Sequence, residues 1–402
     1  MASNRPSTLL LRVDGFGWQD CLATGPGSAI LGSLLFSALF PAPMSVKFLL
    51  RVAGTLLLAW AAAAACVALH TPLPWMLGPL VATSVLSMAG APTESWGPLR
   101  NGGQWAIGAA LGLYFTPEVS ALVGSLWWAI VLGIGWALLL GWGFGAWLYR
   151  LHAPRMHGVP ASMLRSTSYF AGAIGAASEM TLLSERENAR TDLVAASHSL
   201  RLLIVTITIP FALQWSGLQG LDILTPTVRE VSWPGLALLA LLTGAGALVM
   251  DRLGRANPWF MGAMLVSMAV TMAGLHLSAV PQALVNAAQL VIGVSLGVRF
   301  RAEFLHTAPR WLASVAVGTF GLMGICAAFA AVLAWATGLP WVTLLLGTSP
   351  GGITEMAITA KVLQLGVPVV TAFQVCRLIA VLMLVGPMFR RIYPPTEGGS
   401  AI

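Results

Sequence analysis

The sequence predicts an all-α polytopic membrane protein, and three observations lead to this prediction. Of the 402 residues, 57% are hydrophobic and only 9% are charged, whereas soluble domains carry about 25% charged residues. The mean hydropathy is +0.82. Several stretches are almost free of charge and approach the ~20 residues that cross a bilayer core. They are residues 52–69, 121–149, 236–250 and 311–336.

The first 43 residues differ from the rest of the chain. Their only long apolar stretch, 29–40, ends in Pro41-Ala42-Pro43 and is too short to span comfortably. Met44 then starts a segment typical of inner-membrane proteins. We interpret residues 1–43 as an N-terminal extension, either a mis-called start or a disordered tail, with a cleaved signal peptide as the alternative.

Self-alignment shows two diverged copies of one unit. Pro74-Trp75-Met76-Leu77-Gly78 recurs 184 residues later as Pro258-Trp259-Phe260-Met261-Gly262. The pattern Asn-x-x-Gln-x-x-Ile-Gly-x-x-Leu-Gly at 101–112 recurs 185 residues later, at 286–297. Ser178-Glu179-Met180 recurs 176 residues later as Thr354-Glu355-Met356, and Arg201 recurs as Arg377. Unrelated apolar helices would not repeat Asn, Gln, Glu and Arg in register.

These blocks divide the chain into transmembrane repeat 1 at 44–230, transmembrane repeat 2 at 231–392 and a C-terminal tail at 393–402. Each repeat holds about five plausible transmembrane helices plus one broken or re-entrant polar segment. If the polar segments do not cross the membrane, nearly all loop arginines and lysines lie on one side of it, and only Arg229 and Lys361 lie on the other side.

Five spans are an odd number, so the second repeat enters the membrane in the opposite direction and the two form an inverted repeat. The positive-inside rule then predicts a multi-pass inner-membrane protein with both termini in the cytoplasm. The net charge of +7 is explained by these loop residues and does not indicate nucleic-acid binding.

The polar segment of repeat 2 predicts a broken helix. It reads Ser349-Pro350-Gly351-Gly352-Ile353-Thr354-Glu355-Met356, and proline followed by paired glycines interrupts a helix. Broken backbone at membrane depth is tolerated where it is buried in protein or lines a watery cavity. Pro350, Gly351, Gly352, Thr354 and Glu355 are therefore candidate substrate- or ion-binding residues, with a solvated surface loop as the alternative.

The corresponding segment of repeat 1 keeps Gly175, Ser178 and Glu179 as candidates, but Ile174 stands where repeat 2 has proline. We expect a softer break here and two halves that are not equivalent in function.

The helix after each polar segment carries the repeated arginine and a polar residue three positions before it. These pairs are His198 with Arg201 and Gln374 with Arg377, and residues three apart share a helical face. Because an arginine in an apolar helix needs a partner, we predict two ion pairs, Glu179–Arg201 and Glu355–Arg377. The alternative to a binding role is that these pairs only hold the bundle together.

The Pro-Trp-x-x-Gly span, the Pro-Gly-Gly-x-Thr-Glu-Met segment and the His-x-x-Arg-Leu helix together resemble the AbrB family of bacterial inner-membrane proteins, over roughly residues 48–390. That family carries two labels, a regulator of gene expression and an ammonia monooxygenase. The resemblance implies that Pro350–Met356, Gly175–Met180, His198 and Arg201 are the family's motif positions.

Neither label is supported by the residues themselves. The six histidines are scattered without the clustered spacing that copper or iron requires, so we predict no enzyme activity, no metal and no cofactor. A direct DNA-binding regulator would need a soluble basic module, so any effect on gene expression is expected to be indirect.

The residues favour a secondary-transporter-like protein that moves a small anionic or zwitterionic solute, with the glutamates serving a coupling proton or cation. The expected partners are the lipid bilayer and the solute; a homodimer is left open. The alternatives are a membrane regulatory or scaffold protein without transport and, less favoured, a membrane oxidoreductase.

Overall fold

Helices form all the regular structure in the part of the chain that a computed structural model describes, residues 45–156, 158–216, 230–300 and 308–394. The residues from Leu50 onwards belong to one compact unit. The predicted N-terminal extension lies outside the described residues, as does most of the C-terminal tail.

Among the described residues of repeat 1 there are eight helices. They are α1 (Val46–Ala68), α2 (Pro74–Met88), α3 (Gly97–Gly112), α4 (Pro117–Ser125), α5 (Trp127–His152), α6 (Ala161–Gly172), α7 (Ala177–Arg186) and α8 (Thr191–Ser216).

Repeat 2 follows the same order of long and short helices over its described residues. They are α9 (Trp233–Arg252), α10 (Pro258–Met272), α11 (Gln282–Gly297), α12 (Pro309–Thr337), α13 (Trp341–Thr348), α14 (Ile353–Val362) and α15 (Val367–Ile392).

In the described part of the chain, six helices are long and apolar enough to cross a membrane: α1, α5, α8, α9, α12 and α15. The bent pair α3–α4, with a 90° angle, gives a seventh if it counts as one span. These helices confirm an all-α polytopic membrane protein. The other predicted spans, α2, α10 and α11, have only 15 or 16 residues, so five crossings per repeat and the inverted topology stay predictions.

Unusual backbone angles recur at the offsets of the sequence repeat. Leu73 and Asn257, which precede α2 and α10, both have φ near +50°, at 46° and 51°. Asn188 and Gln364, which precede α8 and α15, have φ of 51° and 54°. Non-glycine residues seldom adopt this conformation. The two copies therefore use the same strained turns before matching helices.

Each repeat supplies one helix to two close helix pairs: α2 packs on α11, and α3 packs on α10. Glycine makes both contacts close. A Cβ atom on Gly112 would lie 2.5 Å from the Met264 carbonyl oxygen, and one on Gly108 would collide with the carbonyl oxygen of Phe260. A Cβ atom on Gly293 would lie 2.5 Å from the Met76 carbonyl oxygen. The repeated Ile-Gly-x-x-Leu-Gly pattern thus marks backbone-to-backbone packing.

The helices α5, α8, α12 and α15 form a second group around two hairpins, α6–α7 and α13–α14. One apolar cluster contains Phe170 and Met180 of the first hairpin together with Leu193 near the start of α8 and Phe389 near the end of α15. A different cluster contains α13 and α14 together with the end of α8 and the start of α15, at Leu213 and Val367. The two hairpins therefore pack at opposite ends of α8 and α15.

Candidate functional site

Both hairpins are broken in the same way. Four residues separate α6 from α7, and four separate α13 from α14. The first residue of each break is extended, with φ −53° and ψ 139° at Ala173 and φ −60° and ψ 147° at Ser349. The expectation of a softer break in repeat 1 is therefore wrong. At the end of α6, Gly172 packs tightly on α5, because a Cβ atom there would lie 2.6 Å from the Gly141 carbonyl oxygen.

The methionine of each Glu-Met motif folds back onto its break. The side chains of Met180 and Met356 are fully buried and lie against Gly175 and Gly351, where an added Cβ atom would come within 2.9 Å of the methyl carbon. Neither glycine has a positive φ. Their role is to leave room for methionine, and the same contact is built twice.

Arg201 binds the end of α6. Its guanidinium group donates to the carbonyl oxygens of Ala171, Gly172 and Ala173, at 3.3, 3.2 and 2.7 Å. These carbonyls end a helix and have no partner within it. A cation is also favoured there by the helix dipole.

His198 completes this arrangement. Its Nδ1 atom lies 2.7 Å from the Arg201 guanidinium, and its Nε2 atom lies 2.9 Å from the Phe170 carbonyl oxygen. Since the guanidinium only donates and the carbonyl only accepts, the hydrogen bonds require neutral histidine with its proton on Nε2.

Arg377 and Gln374 repeat the arrangement in the second hairpin. Arg377 donates to the carbonyl oxygens of Ser349 and Gly351, at 2.5 and 3.0 Å, and to the amide oxygen of Gln374 at 2.5 Å. The Gln374 amide group donates to the Leu346 carbonyl oxygen at 2.7 Å. The glutamine thus does for Arg377 what the histidine does for Arg201.

The predicted ion pairs Glu179–Arg201 and Glu355–Arg377 are wrong. The ion pairs found among the described residues are Arg51–Glu94, Arg190–Asp192 and Arg390–Glu187. The physical reason is that each break leaves unpaired carbonyls next to the arginine, and these bind its terminal guanidinium nitrogens, although the Nε atom of Arg377 stays buried without a partner among the described residues.

The two glutamates lie in different environments. Glu355 is only 6% exposed, and its Oε2 atom lies against Gly352 so closely that a Cβ atom there would collide with it. Glu179 is partly exposed. The asymmetry expected between the halves is thus present at the carboxylates.

Both breaks line one cavity of about 490 Å³. The structure brings together all the predicted site residues at this cavity except Gln374, which lies behind Arg377. Those that line it are Gly175, Ser178, Glu179, His198, Arg201, Pro350, Gly351, Gly352, Thr354, Glu355 and Arg377.

Sequence reasoning missed several charged residues of the same cavity: Arg100, Asp251, Arg255 and Arg299. The three arginines had been interpreted as loop residues that set the topology, and Asp251 had not been considered. Asn101 and Gln104 of the repeated Asn-x-x-Gln pattern also line it. Arg100 and Gln104, four residues apart, share a helical face at the start of α3, and this was the available sequence indication.

No group of three or more His, Cys, Asp or Glu side chains that could hold a metal ion occurs among the described residues. The three cysteines there, Cys66, Cys326 and Cys376, are free thiols.

The model of the family described as "Transition state regulatory protein AbrB" matches residues 75–393, which is most of the chain. The chain belongs to the AbrB family. It is 27% identical to the AbrB protein of Escherichia coli (strain K12), which is named as a candidate regulator, over 81% of this chain and 91% of that one. It is 24% identical to YhjN of Bacillus subtilis (strain 168), a protein named as uncharacterized, over 79% of this chain and 87% of that one.

Proposed function

We propose that this AbrB-family protein is a secondary-transporter-like protein of the bacterial inner membrane that moves a small anionic or zwitterionic solute. The observation that carries the proposal is the cavity that both broken hairpins line. Helix breaks that face a cavity expose backbone groups and helix ends to a solute, a common plan of secondary transporters.

The charges of the cavity support a solute with a negative group. Its lining contains five arginines and three carboxylates. Arg201 and Arg377 are held on carbonyl oxygens, so they contribute positive charge without ion-pair partners among the described residues. Glu355, buried beside the second break, is the better candidate for a coupling proton because ionisable groups inside a membrane protein are usually functional.

The positions of the hairpins support the inverted topology. The first hairpin packs where α8 begins, and the second packs where α8 ends. Exposed tryptophans also support this topology. Trp127, Trp215 and Trp335 are 67%, 81% and 89% exposed, and the predicted topology places the helix ends that carry them at the outer face of the membrane. Tryptophan is enriched at membrane interfaces.

The proposal is tested by uptake of labelled carboxylates and amino acids into liposomes that contain the purified protein. We expect Glu355→Gln to lower the detected flux at least tenfold and to remove its dependence on a proton gradient. Glu179→Gln is the matched control and should have a smaller effect. The site assignment is wrong if Glu355→Gln and Arg377→Ala, both shown to fold, leave every detected flux unchanged.

The name of the Escherichia coli relative favours a second candidate, a membrane regulatory or scaffold protein without transport. Such a protein would keep its effect on gene expression in Glu355→Gln and lose it when the segment 301–310 is altered, a change that leaves the cavity residue Arg299 intact. Metal analysis of purified protein tests the disfavoured oxidoreductase, which requires bound copper or iron in stoichiometric amount.

A further inference from the structure

Two arginines at the cavity come from different repeats and have no counterpart in the other copy. Arg100 lies in the first turns of α3, and Arg299 follows the end of α11. By the 185-residue offset, Arg100 corresponds to Val285 and Arg299 to Tyr114. These two charges are therefore not part of the arrangement that both repeats share, in which an arginine binds the broken hairpin.

The two guanidinium groups line the same cavity, at the start of α3 and just after the end of α11, and these two helices pack together. Glu355 lines this cavity as well. Neither arginine is in an ion pair with another described residue. Two like charges at one cavity destabilise each other, and the single carboxylate of Glu355 can offset at most one of them.

Arg100 also has an unused donor. Its terminal nitrogen donates to the Asn101 side-chain oxygen at 3.2 Å, which fixes the guanidinium at the cavity. Its Nε atom is buried and has no hydrogen-bond partner in the described part of the protein. A buried donor without a partner is costly, and an anion between the two arginines would supply both the acceptor and the missing negative charge.

We propose that Arg100 and Arg299 form an anion subsite that attracts and holds a carboxylate or sulfonate-like group of the solute in the cavity. The subsite rests on the proposed solute cavity, and it assigns the anionic group of the solute to one place in that cavity, between Arg100 and Arg299. A planar guanidinium pair binds such groups through paired charge-assisted hydrogen bonds.

The subsite is tested by charge-selective labelling, which requires no known solute. Ser178, exposed at the same cavity, is replaced in Ser178→Cys as a reporter thiol. Its reaction rates with anionic sulfonatoethyl methanethiosulfonate and cationic trimethylammonioethyl methanethiosulfonate are read by peptide mass spectrometry, so the natural cysteines stay in place. The ratio of the two rates reports the local potential.

We expect the ratio of anionic to cationic rates to fall roughly tenfold in Arg100→Gln/Arg299→Gln, as the loss of two nearby charges predicts. Millimolar sulfate should slow the anionic reagent in the parent but not in this double variant. Arg150→Gln, which removes an arginine that does not line the cavity, is the control and should leave the ratio unchanged. High salt should reduce the difference.

An equal ratio in the double variant and in Arg150→Gln would overturn the subsite. If the double variant does not fold, Arg299→Gln alone decides the question, because the Arg299 side chain is exposed to the cavity and makes no hydrogen bond among the described residues. An unchanged ratio with solute flux intact rejects only the subsite, whereas a lowered ratio in a protein without flux rejects only the transport function.

Discussion

The buried arginines bind backbone carbonyl oxygens rather than carboxylates. Their presence in apolar helices predicted that they need a partner, and their spacing from His198 and Gln374 predicted that each pair shares a helical face. The choice of glutamate as partner failed because sequence gives no measure of how many carbonyls a helix break leaves open. Arg201 donates hydrogen bonds to three such carbonyl oxygens.

The equivalence of His198 and Gln374 gives a prediction at the residue scale. His198→Gln should keep the thermal unfolding midpoint in detergent close to that of the parent, because glutamine already accepts from arginine and donates to a carbonyl oxygen in repeat 2. His198→Leu leaves the Phe170 carbonyl oxygen and one Arg201 donor unpaired.

We expect His198→Leu to destabilise the protein by about 1–3 kcal/mol. Thermal unfolding in detergent at neutral pH compares the two variants directly. Equal midpoints for His198→Gln and His198→Leu would show that the imidazole hydrogen bonds do not stabilise the hairpin.

Among the helices, the glycines of α3 and α11 set how closely the two repeats pack. These glycines recur in both copies together with Asn and Gln, but the sequence pattern alone does not indicate that they pack against another helix. Small residues at four-residue spacing let helix backbones approach closely in membranes. The repeated motif was visible in the sequence, but the partner helix of each glycine pair was not.

Gly108→Ala and Gly293→Ala should each lower the unfolding midpoint, because the added methyl group meets the backbone of α10 or α2. The expected loss is about 1–3 kcal/mol, as for other overpacked contacts. Gly102→Ala is the matched control in α3, since nothing lies within 4 Å of its added Cβ atom.

That control should be neutral or stabilising, because alanine favours a helix over glycine by roughly 0.5–1 kcal/mol. Unfolding of the three variants in one detergent checks the order. A midpoint for Gly293→Ala as high as that for Gly102→Ala would contradict the packing role.

For the molecule as a whole, composition and self-alignment were enough to predict an all-α membrane protein with two copies of one unit and a break in each. They could not predict that both breaks face one cavity, since that depends on packing between distant segments. Self-alignment also did not identify Arg299 as a site residue, because it detects only the residues that the two copies share.

The predicted topology places the end of α15, with Arg390 and Arg391, on the cytoplasmic side. A fluorescent protein fused after residue 402 should therefore fluoresce in bacterial cells, and alkaline phosphatase fused at the same position should be inactive. The reverse pair of results would place the C-terminus outside and contradict the assigned orientation.

The arginine contacts also restrict how the protein can move. Arg201 fastens the first hairpin to α8, and Arg377 fastens the second to α15. A hairpin tied in this way to a long helix cannot swing open as an independent lid without breaking several buried hydrogen bonds. Any exchange of access between the two sides of the membrane would instead require each hairpin to travel with its helix as one rigid body, sliding against the glycine-packed group of α2, α3, α10 and α11.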